Sequence, residues 1–248
     1  MKQIDICITS ASRINELKQT FESLSHIKYD GKIRWVLHED YFDQEESSQV
    51  VHWAKYQYFF DLIVKANPHI GLLGSIQNML ECCESDYVLR LCDDFVFTKD
   101  IDLTPIVAAM ESYPDFINQV TFNKRVNNGF KGNFIKKECD FDGLTLTTSP
   151  RWSSLNSVWR VDFIRNHWEQ CWESIKGTKK QFEPWKTFIQ SFEKTLGFSQ
   201  RDIDSDYIIN NIGCYLYGGI GDKYALVNRH IGDGKSRVFS DLHNKGLF

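Results

Sequence analysis

Four absences bound what this chain of 248 residues can be. It has no cysteine framework: the seven cysteines are scattered, Cys82-Cys83 is the only close pair, and neither C-x-x-C pairs nor zinc-type Cys/His spacing occurs. An odd, dispersed set argues against a disulfide scaffold and for a reducing, cytoplasmic compartment. Positive charge is not in excess, with 29 basic residues against 33 acidic ones and a formal net charge of -4. No whole-molecule field therefore favours a polyanion. No apolar run is long enough to cross a membrane, and Met1-Lys2-Gln3-Ile4-Asp5 enters a strand-like segment with no signal-peptide pattern. Repeats, low-complexity tracts and flexible linkers are missing too, so residues 1–248 read as a single domain, with 1–100 as one half and 101–248 as the other.

What is present is an ordinary globular composition with a high aromatic share of 14%. Trp152, Trp159, Trp168, Trp172 and Trp185 fall close together, which suits a dense core or a platform for flat ligand faces. Trp168 and Trp172 are one helical turn apart and read as core, whereas Trp152 and Trp159 are candidates to stack on a sugar or a base.

The first hundred residues alternate between two periods. Ile4 to Thr9 reads as a buried strand, and Ile14, Leu17, Phe21 and Leu24 then recur at helical spacing, with Ser12 as the expected N-cap. Strands follow at Ile33–Leu37, Phe60–Val64 and Tyr87–Leu91, separated by helices over about Glu46–Tyr58 and Leu72–Cys83. Thr104-Pro105 is a helix start. Four strand–helix alternations with short connections predict an α/β fold with a mostly parallel central sheet flanked by helices. Ligands bind beyond the carboxyl ends of such strands. The clusters Thr9–Arg13, His38–Asp40, Asn67–Gly71 and Cys92–Asp94 all follow strand ends and should share one crevice.

After Asn118 the pattern changes to short strands with glycine turns at Asn128-Gly129, Lys131-Gly132 and Asp142-Gly143. Helical segments are expected over Val161–Trp172, Pro184–Leu196 and Ile203–Ile212, the last capped by Asp202 and closed by Gly213. Strand-like Cys214–Tyr217 and Tyr224–Val227 lead into Arg229-His230-Ile231-Gly232-Asp233-Gly234.

Adjacent carboxylates after a buried strand are costly unless something positive meets them. Asp93 and Asp94 therefore suggest a hard divalent cation, Mn²⁺ or Mg²⁺, shared with substrate phosphates. An acidic turn in water is the plain alternative for this pair, as it is for Glu39-Asp40. Arg90, inside the strand, needs either a carboxylate or a ligand as partner.

In order and spacing, these elements resemble GT-A glycosyltransferases, and among them the family 2-like group of bacteria and viruses. The opening Asp5-Ile6-Cys7-Ile8-Thr9-Ser10-Ala11-Ser12-Arg13 is similar to the first strand and nucleotide loop. The stretch from Asn67 through Gly71, Gln77-Asn78 and Ser85-Asp86-Tyr87-Val88-Leu89 to the acidic motif is similar to the central signature. The resemblance implies a nucleotide-diphosphate sugar, UDP-type favoured, as co-substrate and a hydroxyl acceptor, above all a glycan. It implies Asp94 and His230 as metal ligands, with Asp93 at the middle of an Asp-x-Asp motif whose first carboxylate Cys92 replaces. Donor contacts are implied for Thr9, Ser10, Ser12, Arg13, Glu39, Asp40, Asn78, Asp93, Lys235 and Arg237. Glu39 or Asp40 would accept from a pyrimidine ring N–H, and Lys235 and Arg237 would close over the diphosphate. Glu183, before Pro184, is the candidate catalytic base, with Asp202, Asp204 and Asp206 as rivals. Ser149–Asn156 would form the acceptor and donor-sugar wall, while His38, His69 and His167 lack the context of His230.

Three other readings compete. A nucleic-acid base as acceptor is suggested by Lys124, Arg125, Lys131, Lys136, Lys137, Lys179 and Lys180. A sugar-1-phosphate nucleotidyltransferase would need glycines after the first strand, where Thr9-Ser10-Ala11-Ser12-Arg13 has none. A nucleotide-sugar-binding module without catalysis would account for Cys92.

Overall fold

A computed structural model describes residues 1–57, 59–122, 136–149, 152–153, 156–178, 205–220 and 228–231. The first half runs β1 (Ile4–Ser10), α1 (Ile14–Ser23), β2 (Ile27–Lys28), β3 (Ile33–Asp40), α2 (Gln44–Tyr56), β4 (Leu62–Ala66), α3 (Gly71–Cys82), β5 (Tyr87–Cys92), β6 (Phe95–Phe97), β7 (Ile101–Asp102) and α4 (Thr104–Ser112). The second half contributes β8 (Gln119–Thr121), β9 (Glu138–Phe141), β10 (Leu144–Thr148), β11 (Ser157–Arg160), α5 (Val161–Ile175), β12 (Cys214–Tyr217) and β13 (Asn228–His230).

Among the described residues nine strands form one sheet in the order β4-β3-β1-β5-β11-β8-β12-β10-β9. Its first four strands are parallel; β11 enters antiparallel to both β5 and β8. The period of two explains why both sheet faces are dry. Along β1, Ile4, Ile6 and Ile8 point to the face under α1, α2 and α4, while Cys7 points to the face under α3 and α5. Asp5, also on that second face and fully buried, accepts from Glu84 N (2.7 Å) and Ser85 Oγ (2.8 Å) and pairs with Arg34 at 3.2 Å. This ties the start of β1 to the loop before β5.

Trp152 and Trp159 are fully buried in the core beneath α3 and α5, so neither is a stacking platform. Their large apolar rings are best removed from water in the core. Trp168 is core as expected, with Trp172 packed against it.

Two turns follow the expected chemistry. Asp142 and Gly143 both have positive φ (54° and 88°), the two-residue turn that matches strand twist between β9 and β10. A short helix, Ser205–Tyr207, continues as π-helical Ile208–Ile212 and stops at Gly213, where φ is 65°. A Cβ there would lie 2.5 Å from the Phe116 carbonyl oxygen, so only glycine fits. At α4 the flanking cap is Leu103 rather than Thr104, and Pro105 occupies the first turn as read. All seven cysteines are free thiols, and no helix among the described residues is long and apolar enough to cross a membrane. The segments expected at 184–196 and 224–227, the turns at 128–129 and 131–132, and Asp202 lie outside the described residues.

Candidate functional site

The carboxyl ends of β1, β3 and β5 lie side by side, with Thr9 opposite His38 on one flank and Cys92 on the other. The loops leaving these ends carry the charged residues singled out in the sequence, and the structure joins most of them into one network.

Its centre is Arg13, the residue preceding α1. Its Nε donates to Asp93 Oδ2 at 3.1 Å, its Nη2 to Asp93 Oδ1, and its Nη1 to Asp94 Oδ2 at 2.7 Å. Such forked, charge-assisted contacts fix direction as well as charge. Asp93 is fully buried and also accepts from Ala11 N at 3.2 Å. Burial pushes its carboxyl up to about 6; Arg13 opposes the rise and Asp94 adds to it. The Asp94 side chain keeps 12% of its surface exposed, against none for Asp93. The pair is thus divided: Asp93 anchors the loop from below and Asp94 faces the crevice.

The turn holding the pair is gripped by α1. Thr20 Oγ1 donates to the carbonyls of Asp93 (2.7 Å) and Phe95 (3.0 Å), and Phe97 N donates to Ser23 Oγ at 3.0 Å. Sequence reasoning missed both hydroxyls. The signal was there: Thr20 and Ser23 follow Leu17 at helical spacing on the buried face of α1.

Ser12 does not cap α1. Its φ of 57° turns the chain, Arg13 takes the cap position without a side-chain bond, and the Ser12 hydroxyl meets Ser47 Oγ (2.7 Å) and Asp43 N (2.8 Å) instead. Ser12 N donates to Glu39 Oε1 at 2.8 Å, and Ser47 Oγ to the same atom at 2.6 Å. The backbone amides of Ala11 and Ser12, in the loop expected to contact the donor, are therefore taken by Asp93 and Glu39.

Glu39 and Asp40, expected to read a pyrimidine, are both turned inward onto the chain itself. Glu39 is fully buried and faces α1 and α2; burial pushes its carboxyl up to about 7, against the hydrogen bonds from Ser47 and Ser12. The Ser10 hydroxyl is buried near Glu39 and Asp93 and lowers both carboxyls against the effect of burial, although it forms no regular hydrogen bond. Asp40, on the opposite face, accepts from Ile70 N (2.9 Å) and Gly71 N (2.8 Å) and pairs with His69 Nδ1 at 2.8 Å. It serves the N-terminus of α3, where the helix dipole and free amides favour a carboxylate. Asn78 is not gathered with the others. It lies seven residues along α3 from Gly71, about 10 Å at 1.5 Å per residue, towards Cys82, whose carbonyl meets Arg34 near the other end of β3.

Thr9 Oγ1 donates to the Leu91 carbonyl at 3.2 Å and so sits at the rim between β1 and β5. Cys92 N donates to Asn156 Oδ1 at 2.9 Å, which brings the end of the 149–156 segment to the acidic motif. Burial pushes the Cys92 thiol up to about 11.

The distant histidine is brought to the same place. β13 pairs antiparallel with β6, setting His230 opposite Phe95, and Ile231 N donates to the Asp94 carbonyl at 2.8 Å. The backbone of His230 therefore runs beside the residue that follows Asp94. Among the described residues no group of three or more His, Cys, Asp or Glu side chains converges as a metal cage. Mg²⁺ characteristically takes one or two carboxylates and fills its remaining positions with phosphate and water, which suits a single outward carboxylate such as Asp94. Glu183, Lys235, Arg237 and Asp204 lie outside the described residues, and Asp206 pairs with Lys137 at 3.0 Å on the surface.

No family model and no curated protein sequence matches this chain. Solved structures do. TarS of S. aureus (residues 1–349) superposes with a TM-score of 0.52 and 15% identity, over 87% of this chain and 58% of that one. GalNAc-T7, solved with UDP, GalNAc and Mn²⁺, gives 0.51 and 11%, over 79% of this chain and 41% of that one. The chain thus spans little more than half of the TarS structure and less of GalNAc-T7. It has the GT-A glycosyltransferase fold that its first hundred residues resemble.

Proposed function

We propose that this chain transfers a sugar from a nucleotide-diphosphate sugar, UDP-type favoured, to a hydroxyl acceptor on a glycan. One observation carries the reading: the β6–β13 pairing sets His230 beside Phe95, directly after the outward-facing Asp94, at the ends of parallel strands. A fold alone does not fix an activity, so the argument rests on these residues.

In this reading Asp94 and His230 hold Mn²⁺ or Mg²⁺ against the donor diphosphate, and the cation supplies neutralisation of the departing charge. Arg13 keeps Asp94 aimed at the crevice and brings a fixed positive charge to the same edge. Lys235 and Arg237 close over the diphosphate, and Thr9 and Ser10 form the rim at the nucleotide. Asp93, buried beneath Arg13, positions rather than touches the donor. Glu183 takes the acceptor proton if the anomeric centre is inverted.

The test is a screen of nucleotide-sugar hydrolysis with and without Mn²⁺. We expect metal-dependent turnover of at least one donor, abolished by Asp94→Asn and shifted to higher metal concentration by His230→Ala. Turnover unchanged in chelator would remove the metal from the mechanism, and an unaltered titration in His230→Ala would remove that histidine from the site.

A further inference from the structure

The sheet face under α3 and α5 carries polar side chains near the strand ends. His38 on β3, Thr9 on β1 and Cys92 on β5 are in register; Arg90 lies two residues earlier on β5, opposite Cys7 and Ser157, and Asn156 immediately precedes β11. Arg90 is the unusual member. It is fully buried, and its hydrogen-bond partners are both neutral: Cys92 Sγ and Thr9 Oγ1, each at 3.3 Å. The Trp159 ring lies 5.9 Å from the guanidinium carbon, and Nε has no partner. No carboxylate of the described residues pairs with it, whereas the buried ends of Arg13 and Arg34 each meet two. A guanidinium does not lose its proton in a protein, so its charge cannot be relieved that way. Buried charges are ordinarily paired. Nearby, both ring nitrogens of His38 and the Asn156 Nδ2 are also buried without partners.

Direction narrows what the missing anion is. Arg90 reaches along β5 to Thr9 and Cys92, the last residues before the crevice, and Cys92 is itself partly exposed. Asp93 and Arg13 are held on the α1 side of the sheet, whereas Arg90 lies beside Trp159 on the face under α3 and α5. On the glycosyl-transfer reading Arg90 thus stands apart from the carboxylate assigned to the metal and the diphosphate, and a second anionic group on the donor would match it.

We propose that Arg90 is a specificity-determining residue that pairs with a carboxylate on the transferred sugar, so that the preferred donor carries a uronic acid. This rests on the glycosyl-transfer reading. Cys92, where a carboxylate would neutralise Arg90 from within, leaves that place to the substrate.

The experiment compares donors that differ only in the sugar carboxylate: UDP-glucuronate with UDP-glucose, and GDP-mannuronate with GDP-mannose, by calorimetric binding in Mn²⁺. A buried charge-assisted pair should favour the uronate of at least one couple by about tenfold or more. Cys92→Asp, which provides the carboxylate internally, and Arg90→Met should each bring that ratio to about one, with Arg90→Lys retaining part of it. Thermal melts identify which variants fold, and either variant suffices. A wild-type ratio near one, as expected if Arg90 met only the diphosphate, overturns the proposal and leaves glycosyl transfer standing. A ratio that survives both Cys92→Asp and Arg90→Met overturns it as well. Failure of every nucleotide and nucleotide-sugar to bind overturns the glycosyl-transfer reading, and this proposal with it.

Discussion

On the side of the sheet under α1 and α2, Arg13 meets Asp93 and Asp94, and Glu39 meets Ser12 and Ser47. On the side under α3, one strand position away, Arg90 meets a thiol and a hydroxyl, and His38 meets nothing polar. The two sides share strands, depth and polarity, and Asp5 and Asp40 on the second side find partners in Arg34, His69 and the α3 amides, yet Arg90 is left without a carboxylate among the described residues. A cluster of the first kind holds a loop in one shape before any ligand arrives. On the proposal above, an unpaired buried charge such as Arg90 gains its balance from the donor sugar.

The largest test of this contrast is removal of the two arginines in turn. Arg13→Met strands two carboxylates, one fully buried, and is expected to cost about 3 kcal/mol, the low end for breaking a buried pair because Arg13 is 24% exposed. Urea denaturation measures it. An intermediate effect is expected from Glu39→Gln, read as a pH dependence. Glu39 has an ordinary value of 4.5 and is pushed up to about 7 in the folded chain, burial being the first cause. Between those values the folded state binds the extra proton, so stability falls as pH rises, and above about 7 the full cost stands. Asp93 acts in the same sense, whereas His38, held neutral by burial, loses stability as pH falls. The difference between wild type and Glu39→Gln isolates the one carboxylate: the variant should gain about 2 kcal/mol relative to wild type on going from pH 5 to pH 8. A constant difference across that range would show Glu39 to be ionised throughout. The smallest effect belongs to Arg90→Met, expected to change stability by less than about 1 kcal/mol or to raise it, since an unbalanced buried charge is exchanged for apolar volume. Equal losses for Arg13→Met and Arg90→Met would erase the distinction between the two sides.

The parts of this architecture legible in the sequence are those set by local rules. Apolar alternation marked β1, β3 and β5, glycine and Asp-Gly marked the turns, and strand ends pointed to one crevice. The fate of individual polar groups was less legible because it depends on contacts between distant elements. Ser12 looked like a cap until α2 placed Ser47 within 2.7 Å of its hydroxyl. Glu39 and Asp40 looked interchangeable, although a period of two puts neighbours on opposite faces, one towards α2 and one towards α3. The motif was read as needing a positive partner, expected to be a divalent cation, and the partner inside the chain is Arg13, eighty residues away from Asp93. Arg90 was recognised as a charge in want of a partner, and the structure leaves that want unmet among the described residues.

The β6–β13 pairing also bears on the order of events when the chain folds. β1, β3, β4 and β5 come from a contiguous stretch and can pair through short connections, but the strand bearing His230 must close a loop of more than a hundred residues to reach Phe95. Contacts of such separation carry a large closure entropy and form late. Three residues of that strand pair with β6 and the Ile231 amide meets the Asp94 carbonyl, a short ladder that should open before the parallel strands do. On the proposed reading the acidic pair is in place early and the strand that carries His230 docks last, so the docking of that strand would complete the site.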